Sequence, residues 1–320
     1  MPDQAYESMN LKRARAGLAR AVRLARGRPG VLGVDFGFIY RQGLRQDQQG
    51  IRFHVRHKRP LSALRAEQKL PERLDAFPCD VVEASYSLHG SARDVCDPLR
   101  PGVSIGNLQR GTTGTMGLWA RDRHTGASGL LSNWHVLCGS PDALAGERIS
   151  QPGPHHLGSQ PARIAALLER WIALDVGFDA AFARLSDGVG VEQALFDTTL
   201  TILGIEPPMI GMRVVKYGVT SGLTHGMIDG IEGSYEVDYS HYGDKPRWID
   251  GLRVVVDPEE PEDEISLGGD SGAAWINPIT GNAVALHFAG EDGLGPTAEY
   301  ALAHPLGRIL DLLDLDIGPF

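Results

Sequence analysis

Gly268-Gly269-Asp270-Ser271-Gly272-Ala273-Ala274-Trp275-Ile276 is the stretch on which the reading of this 320-residue chain turns. Glycines on both sides keep neighbouring side chains from burying the Ser271 hydroxyl. They also let the backbone turn so that successive N–H groups point at one spot. An acyl-transfer nucleophile needs both features: an exposed Oγ, and an oxyanion pocket of N–H donors, here those of Gly269 and Ser271. A motif this short also fits a plain glycine-rich turn, so its context decides.

Two other segments supply that context. Leu130-Leu131-Ser132-Asn133-Trp134-His135-Val136-Leu137 reads as a hydrophobic strand that ends in a histidine. Gly177-Phe178-Asp179-Ala180-Ala181-Phe182-Ala183-Arg184-Leu185 reads as an aspartate opening an alternating apolar strand. A neutral imidazole can take a serine proton, and a buried carboxylate can hold that imidazole in the right tautomer. Singly, the histidine reads as structural and the aspartate as a turn cap. The order His135, Asp179, Ser271 gives them a joint chemical meaning.

These three motifs resemble those of the chymotrypsin-like serine proteases. Ser-Asn-Trp-His-Val is similar to their histidine motif, Asp179-Ala180-Ala181 to their D-x-A motif, and Gly269-Asp270-Ser271-Gly272 to their nucleophile motif. The gaps of 44 and 92 residues fit one barrel on each side of a cleft. Gly211 to Gly226 resembles a hairpin of intracellular bacterial members and of the plant narrow-leaf proteins. The resemblance covers about residues 100 to 310. It implies a mainly β fold of two antiparallel barrels, with His135 as general base and acid, Asp179 as its orienter and Ser271 as nucleophile. Asp175 is a rival for the acidic role, but Val176-Gly177 after it do not match D-x-A. Gly272-Ala273-Ala274 departs from the usual Gly-Gly-Pro. In secreted relatives a new N-terminus pairs with the residue at Asp270. Here the basic residue just before the barrel, Arg100, is followed by Pro101, so the intact chain is expected to be competent or to be switched by a partner.

The resemblance also bears on specificity. Ile265 stands six positions before the serine, where relatives that cleave after Arg or Lys carry an acid, so a basic P1 residue is not supported. Glutamate- and glutamine-cleaving relatives carry a histidine in the strand that here reads Ala283 to Gly290, and the glutamate-cleaving ones a small hydroxyl residue five before the nucleophile. His287 and Ser266 match those positions, which implies P1 Glu or Gln. The acidic run Pro258-Glu259-Glu260-Pro261-Glu262-Asp263-Glu264 reads as solvated surface; it could also repel acidic peptides, which counts against P1 Glu, or gate the site as a lid.

Composition fits a soluble globular protein with enough apolar residues, 42%, to bury a core. Forty glycines and twenty prolines suit strands and turns better than a helical bundle. The net charge of −9 argues against nucleic acid as the main partner. No apolar run is long enough for a membrane span, and Met1 to Tyr6 show no signal-peptide pattern. Three cysteines, Cys79, Cys96 and Cys138, are an odd and small number, which points to a reducing, cytoplasmic setting. No metal-ligand spacing occurs, His155-His156 reads as a surface loop, and the prolines of the acidic run disfavour calcium. The triad needs no cofactor.

The chain reads as an N-terminal α+β domain over residues 1–95 and a protease domain over 100–320. Within the latter the first barrel spans about 103–190, the second about 200–302, and a C-terminal helix 303–316. In the N-terminal part, residues 8–27 place Lys12, Arg13, Arg15, Arg20, Arg23 and Arg26 around a thin alanine-rich stripe, ending at Gly27 and Pro29. This suits a packed surface helix better than a membrane-surface one. Val31–Tyr40 and Ile51–Lys58 alternate as a hairpin, Ser62–Lys69 reads as helical, and Asp80–Ser85 as a strand. The unit is a candidate regulatory or assembly module. Gly114–Asp122 reads as the first barrel strand, turning at His124-Thr125-Gly126.

The expected activity is therefore that of an intracellular serine endopeptidase acting on protein or peptide substrates. Two other readings stay open: a protease-fold scaffold that cleaves little, and a self-processing protease that then serves as a signalling or structural piece. A regulatory partner through the N-terminal unit and an oligomer are both compatible with the sequence.

Overall fold

A computed structural model describes residues 2–41, 44–84, 90–260, 264–291 and 299–317; the side chains of residues 2–13 and of Glu67 lie outside the description. Ser85, Pro261, Glu262 and Asp263 fall outside it, as do the side chains of Leu11, Lys12 and Arg13. Two compact units are present, Met1–His89 and Gly90–Phe320.

In the first unit, helix α1 (Pro2–Arg26) is followed by strands β1 (Val31–Arg41), β2 (Leu44–Val55), β3 (Arg73–Leu74) and β4 (Phe77–Glu83). The sheet order is β1-β2-β4-β3, antiparallel except for the parallel β2–β4 pair. Ala21 of α1 packs with Ile51, Phe53 and Leu74 in a small core. The expected helix over Ser62–Lys69 is instead two short 3-10 turns, Leu61–Ala63 and Ala66–Gln68. Leu64 is extended between them (φ −101, ψ 132), and no residue of the first turn is buried. Too short to nucleate alone and with little to pack, the segment does not sustain an α-helix.

The second unit is mainly β. Its first sheet is built from β5 (Ser104–Asn107), β6 (Gly114–Thr115), β7 (Leu118–Asp122), β8 (Ser128–Ser132), the helical turn α2 (Trp134–Leu137), β9 (Arg148–Ser150), β10 (Ile164–Trp171) and β11 (Ala181–Leu185). The second comprises β12 (Gly204–Ile205), β13 (Arg213–Gly218), β14 (Gly222–Val237), β15 (Arg247–Val256), β16 (Ala274–Ile276), β17 (Asn282–Gly290) and β18 (Tyr300–Pro305). Helix α3 (Leu306–Leu312) and β19 (Leu315–Asp316) close the chain, β19 returning to pair with β7. The first sheet is a half-barrel of order β19-β7-β8-β11-β10-β9-β5-β6. In the second, β17 pairs with both β16 and β18, which closes a ring.

Three local readings are corrected. Gly114–Asp122 is two strands, because the chain changes partners at Met116–Gly117: Met116 N–H donates to Val103 and Gly117 N–H to Leu131. His135 lies in a helical turn after strand β8, since an apolar run alone cannot tell strand from helix. The C-terminal helix spans Leu306–Leu312 rather than 303–316, because β18 runs through Pro305 and the chain re-enters the first sheet as β19 at Leu315–Asp316.

An apolar cluster joins the two sheets: Leu118, Leu131 and Phe182 meet Val215, Ile276 and Leu286, with Leu306, Ile309 and Leu310 of α3. Each such buried side chain contributes about 1.5–3 kcal/mol. This shared core fixes the two barrels against each other and so fixes the cleft between them.

Candidate active site

Asp179 and His135 are brought into direct contact from two elements of the first barrel. Asp179 Oδ2 lies 2.5 Å from His135 Nδ1, and Oδ1 accepts the His135 backbone N–H at 3.1 Å. Asn133 Nδ2 donates to the Asp179 carbonyl at 2.8 Å, tying the α2 turn to the segment before β11. Asp179 is fully buried and His135 nearly so. A carboxylate can only accept, so Nδ1 carries the proton and Nε2 carries the lone pair when the ring is neutral.

Two further groups hold Asp179. The Tyr239 hydroxyl donates to Oδ2 at 2.7 Å. The Asp179 N–H donates to His304 Nε2 at 3.1 Å, while His304 Nδ1 donates to the Asp250 carbonyl at 2.7 Å. That pair of bonds is made by a neutral imidazole, and burial pushes the His304 pKa down to about 4. Burial pushes the Asp179 carboxyl up, but the His135 charge and the donors from His135 and Tyr239 outweigh it and hold its pKa below the ordinary value. Asp175, the rival acid, is exposed in a 3-10 turn.

Ser271 sits half-buried in a turn pinned to the first barrel. Its carbonyl accepts Thr115 N–H at 2.8 Å, and Thr115 Oγ1 donates to the Gly269 carbonyl at 2.8 Å. Both Gly269 and Gly272 have positive φ, +106° and +94°; a Cβ on Gly272 would lie 2.0 Å from Ser132 Oγ. A Cβ on Gly114 would strike both the Ser271 carbonyl and the Val136 side chain, so the serine turn and the histidine turn pack on the same backbone. The N–H groups of Asp270, Gly272 and Ala273 are all engaged, with Leu267, His287 and Asp270 carbonyls. Among the described residues, those of Gly269 and Ser271 are not. Nor is a hydrogen bond formed between His135 Nε2 and Ser271 Oγ; in ligand-free sites this contact is often long and tightens with substrate.

The turn is anchored by a buried ion pair. Lys216 Nζ, on β13, lies 2.9 Å from Asp270 Oδ2, and neither side chain is exposed. Asp270 also accepts N–H groups from Thr220, Ser221 and Leu267. Burial raises its pKa, but the Lys216 charge and the donors from Ser221 and Lys216 bring it down to about 2.

Of the pocket residues expected from the sequence, Ser266 Oγ and His287 Nε2 meet at 2.9 Å, both buried. Burial, then the Lys216 charge, lowers the His287 pKa to about 3, so its ring is neutral. Ile265 is wholly buried in the second-barrel core with Trp275 and Val284. Among the described residues no group of three or more His, Cys, Asp or Glu side chains is placed to hold a metal ion.

Sequence reasoning missed Lys216, Tyr239, Tyr242 and His304. Lys216 had a signal: a lysine within the apolar run Val214-Val215-Lys216-Tyr217 must find a buried partner. The others sit far from the motifs in sequence and carry no spacing of their own.

No protein-family model matches the sequence, and no curated protein matches it. Solved structures do match. Nocardiopsis protease (NAPase) is 18% identical, with 70% of this chain and 100% of that chain covered and a TM-score of 0.50. A glutamic acid specific serine protease, described as using a novel histidine triad in substrate binding, is 18% identical, with 69% and 100% covered and a TM-score of 0.51. At these identities the likeness establishes the fold: the second unit has the two-barrel architecture of chymotrypsin-like serine proteases.

Proposed function

We propose that this chain is a serine endopeptidase. The observation that carries the reading is the buried His135–Asp179 pair beside a serine turn whose Gly269 and Ser271 N–H groups are unengaged among the described residues. In the proposed reaction Ser271 Oγ attacks the peptide carbonyl and its proton passes to His135 Nε2. The Gly269 and Ser271 N–H groups take the oxyanion, and Asp179 faces the imidazolium. His135 then protonates the departing amine, leaving an acyl-enzyme. Water repeats the sequence and releases the acid, with no cofactor.

His287 and Ser266 support a P1 preference for Glu or Gln. A neutral imidazole and a hydroxyl can hydrogen-bond a side-chain amide or carboxyl oxygen. The glutamic acid specific neighbour lends this reading a structural precedent. Among the described residues His287 Nδ1 has no hydrogen-bond partner. Three free thiols support an intracellular site of action.

The N-terminal unit is proposed as a regulatory or assembly module. Residues 1–89 hold sixteen Lys and Arg against nine Asp and Glu, whereas residues 90–320 hold fifteen against thirty-one. Such a basic unit suits an acidic partner.

The test is a cleavage map. Wild type and Ser271→Ala are each incubated with a denatured proteome, and new N-termini are read by mass spectrometry. New termini with the wild type alone are expected. Identical maps from the two proteins would overturn the peptidase reading.

A further inference from the structure

We infer that Tyr239 is a positioning residue for the His135–Asp179 pair, delivered to it by the tip of the β14–β15 hairpin; the inference rests on the peptidase reading above. Tyr239 lies just beyond β14, at the tip of a long hairpin of the second barrel, and is buried. Its hydroxyl donates to Asp179 Oδ2, the same oxygen that receives His135 Nδ1. Asp179 itself belongs to the first barrel, so the pair is fully held only when the hairpin tip is seated across the cleft.

The tip is built to stay in place. Asp238 accepts from the Ser240 N–H and hydroxyl, at 2.8 and 3.0 Å. The Tyr239 carbonyl accepts the N–H groups of Tyr242 and Asp244, and Arg247 pairs with Asp244. The Tyr239 ring meets Trp134 edge-on at 6.1 Å, and Tyr242 lies 5.4 Å from the His135 ring. One tip therefore touches both members of the pair: a donor on the carboxylate, an aromatic face on the imidazole.

A core-filling tyrosine and a positioning tyrosine predict different things for Tyr239→Phe. The phenylalanine keeps the ring and its packing. It removes one of the donors that share the charge on Asp179 Oδ2. More negative charge then faces His135 Nδ1–H, the imidazolium is favoured, and His135 gives up its proton at higher pH. The other titratable groups that face the pair are Cys138 at the end of α2, Tyr242 on the same tip, His287 on β17 and His304 on β18. None of them is altered by the substitution.

The experiment uses the full chain with 15N-labelled histidine. The His135 ring resonances, assigned by their loss in His135→Gln, are titrated in wild type, Tyr239→Phe and Ile249→Val. The last variant loosens the same apolar cluster without touching the hydroxyl. kcat and KM for a peptide substrate are followed over the same pH range. The expected result is an upward shift of about one pH unit in both the His135 titration and the acid limb of kcat/KM for Tyr239→Phe. kcat should fall about 10- to 100-fold with KM little changed, and Ile249→Val should stay at the wild-type titration. An unshifted His135 in Tyr239→Phe, or an equal shift in Ile249→Val, would overturn the inference. A shifted His135 titration in Tyr239→Phe, together with a wild type that hydrolyses no peptide, would support the Tyr239 contact and overturn the peptidase reading alone.

Discussion

The Lys216 ammonium meets the Asp270 carboxylate at 2.9 Å, and both are wholly buried. This pair stands one residue before the candidate nucleophile and fixes the turn that carries the Gly269 and Ser271 N–H groups. Lys216 is part of the folded chain, on β13, so the cation that pairs with Asp270 does not have to be created by cleavage. The intact chain is predicted to be the competent form. Intact-mass analysis of the active protein checks this; an active form beginning near Gly102 would contradict it.

Breaking that pair from one side should be severe. Lys216→Met leaves Asp270 buried and unpaired, and is predicted to cost about 3–5 kcal/mol of stability. Lys216→Met with Asp270→Asn removes the stranded charge and should recover part of the loss. Urea denaturation of the three proteins reads this directly. Equal stability of the single variant and the wild type would sink the assignment.

Stability should fall with pH in two consecutive windows. His287 and His304 have folded pKa values of about 3 and about 4, below the value of ~6.5 expected when unfolded. Between those limits the unfolded chain binds protons that the folded chain refuses, so stability is full above about pH 7 and declines as pH drops towards 4. Asp270 is depressed to about 2, so its contribution is present above ~3.9 and is lost as pH falls through 2. Unfolding curves from pH 8 to 2 test both windows. A flat profile from pH 7 to 4.5 would contradict the buried neutral histidines.

Asp179→Asn is predicted to lower kcat by about 10^4-fold while the fold persists. An amide can donate to His135 Nδ1, which would place the ring proton on Nε2, the wrong nitrogen for a base. Steady-state kinetics and circular dichroism together measure this. A loss below tenfold would remove Asp179 from its assigned role.

Specificity is tested by a P1 library against the wild type, His287→Ala and Ser266→Ala. Gln and Glu should lead for the wild type, and His287→Ala should flatten the profile by at least about tenfold. A wild-type preference for small apolar P1 residues that His287→Ala leaves unchanged would refute the pocket reading.

The parts of the site that were legible in the sequence are those written as local motifs. Gly269, Ser271 and Gly272 needed only neighbours in the chain to suggest a tight turn that glycine permits, and both glycines do have positive φ. His135 and Asp179 were legible as candidates because apolar runs flank them, though the turn at His135 was read as strand. Lys216, Tyr239 and His304 acquire meaning only through partners 54, 60 and 125 residues away. Periodicity carries no record of such pairings. The alternating runs Val31–Tyr40 and Ile51–Lys58 marked β1 and the second half of β2, whereas Ser62–Lys69 failed because its helical composition had no core to pack against.

The central claim, that Ser271 is an activated nucleophile, is tested most directly by labelling the full chain with a fluorophosphonate and mapping the adduct by mass spectrometry. The account predicts a single adduct on Ser271, absent from Ser271→Ala and formed far more slowly in His135→Ala. No adduct under conditions that fully label trypsin, or the same adduct in Ser271→Ala, would contradict it.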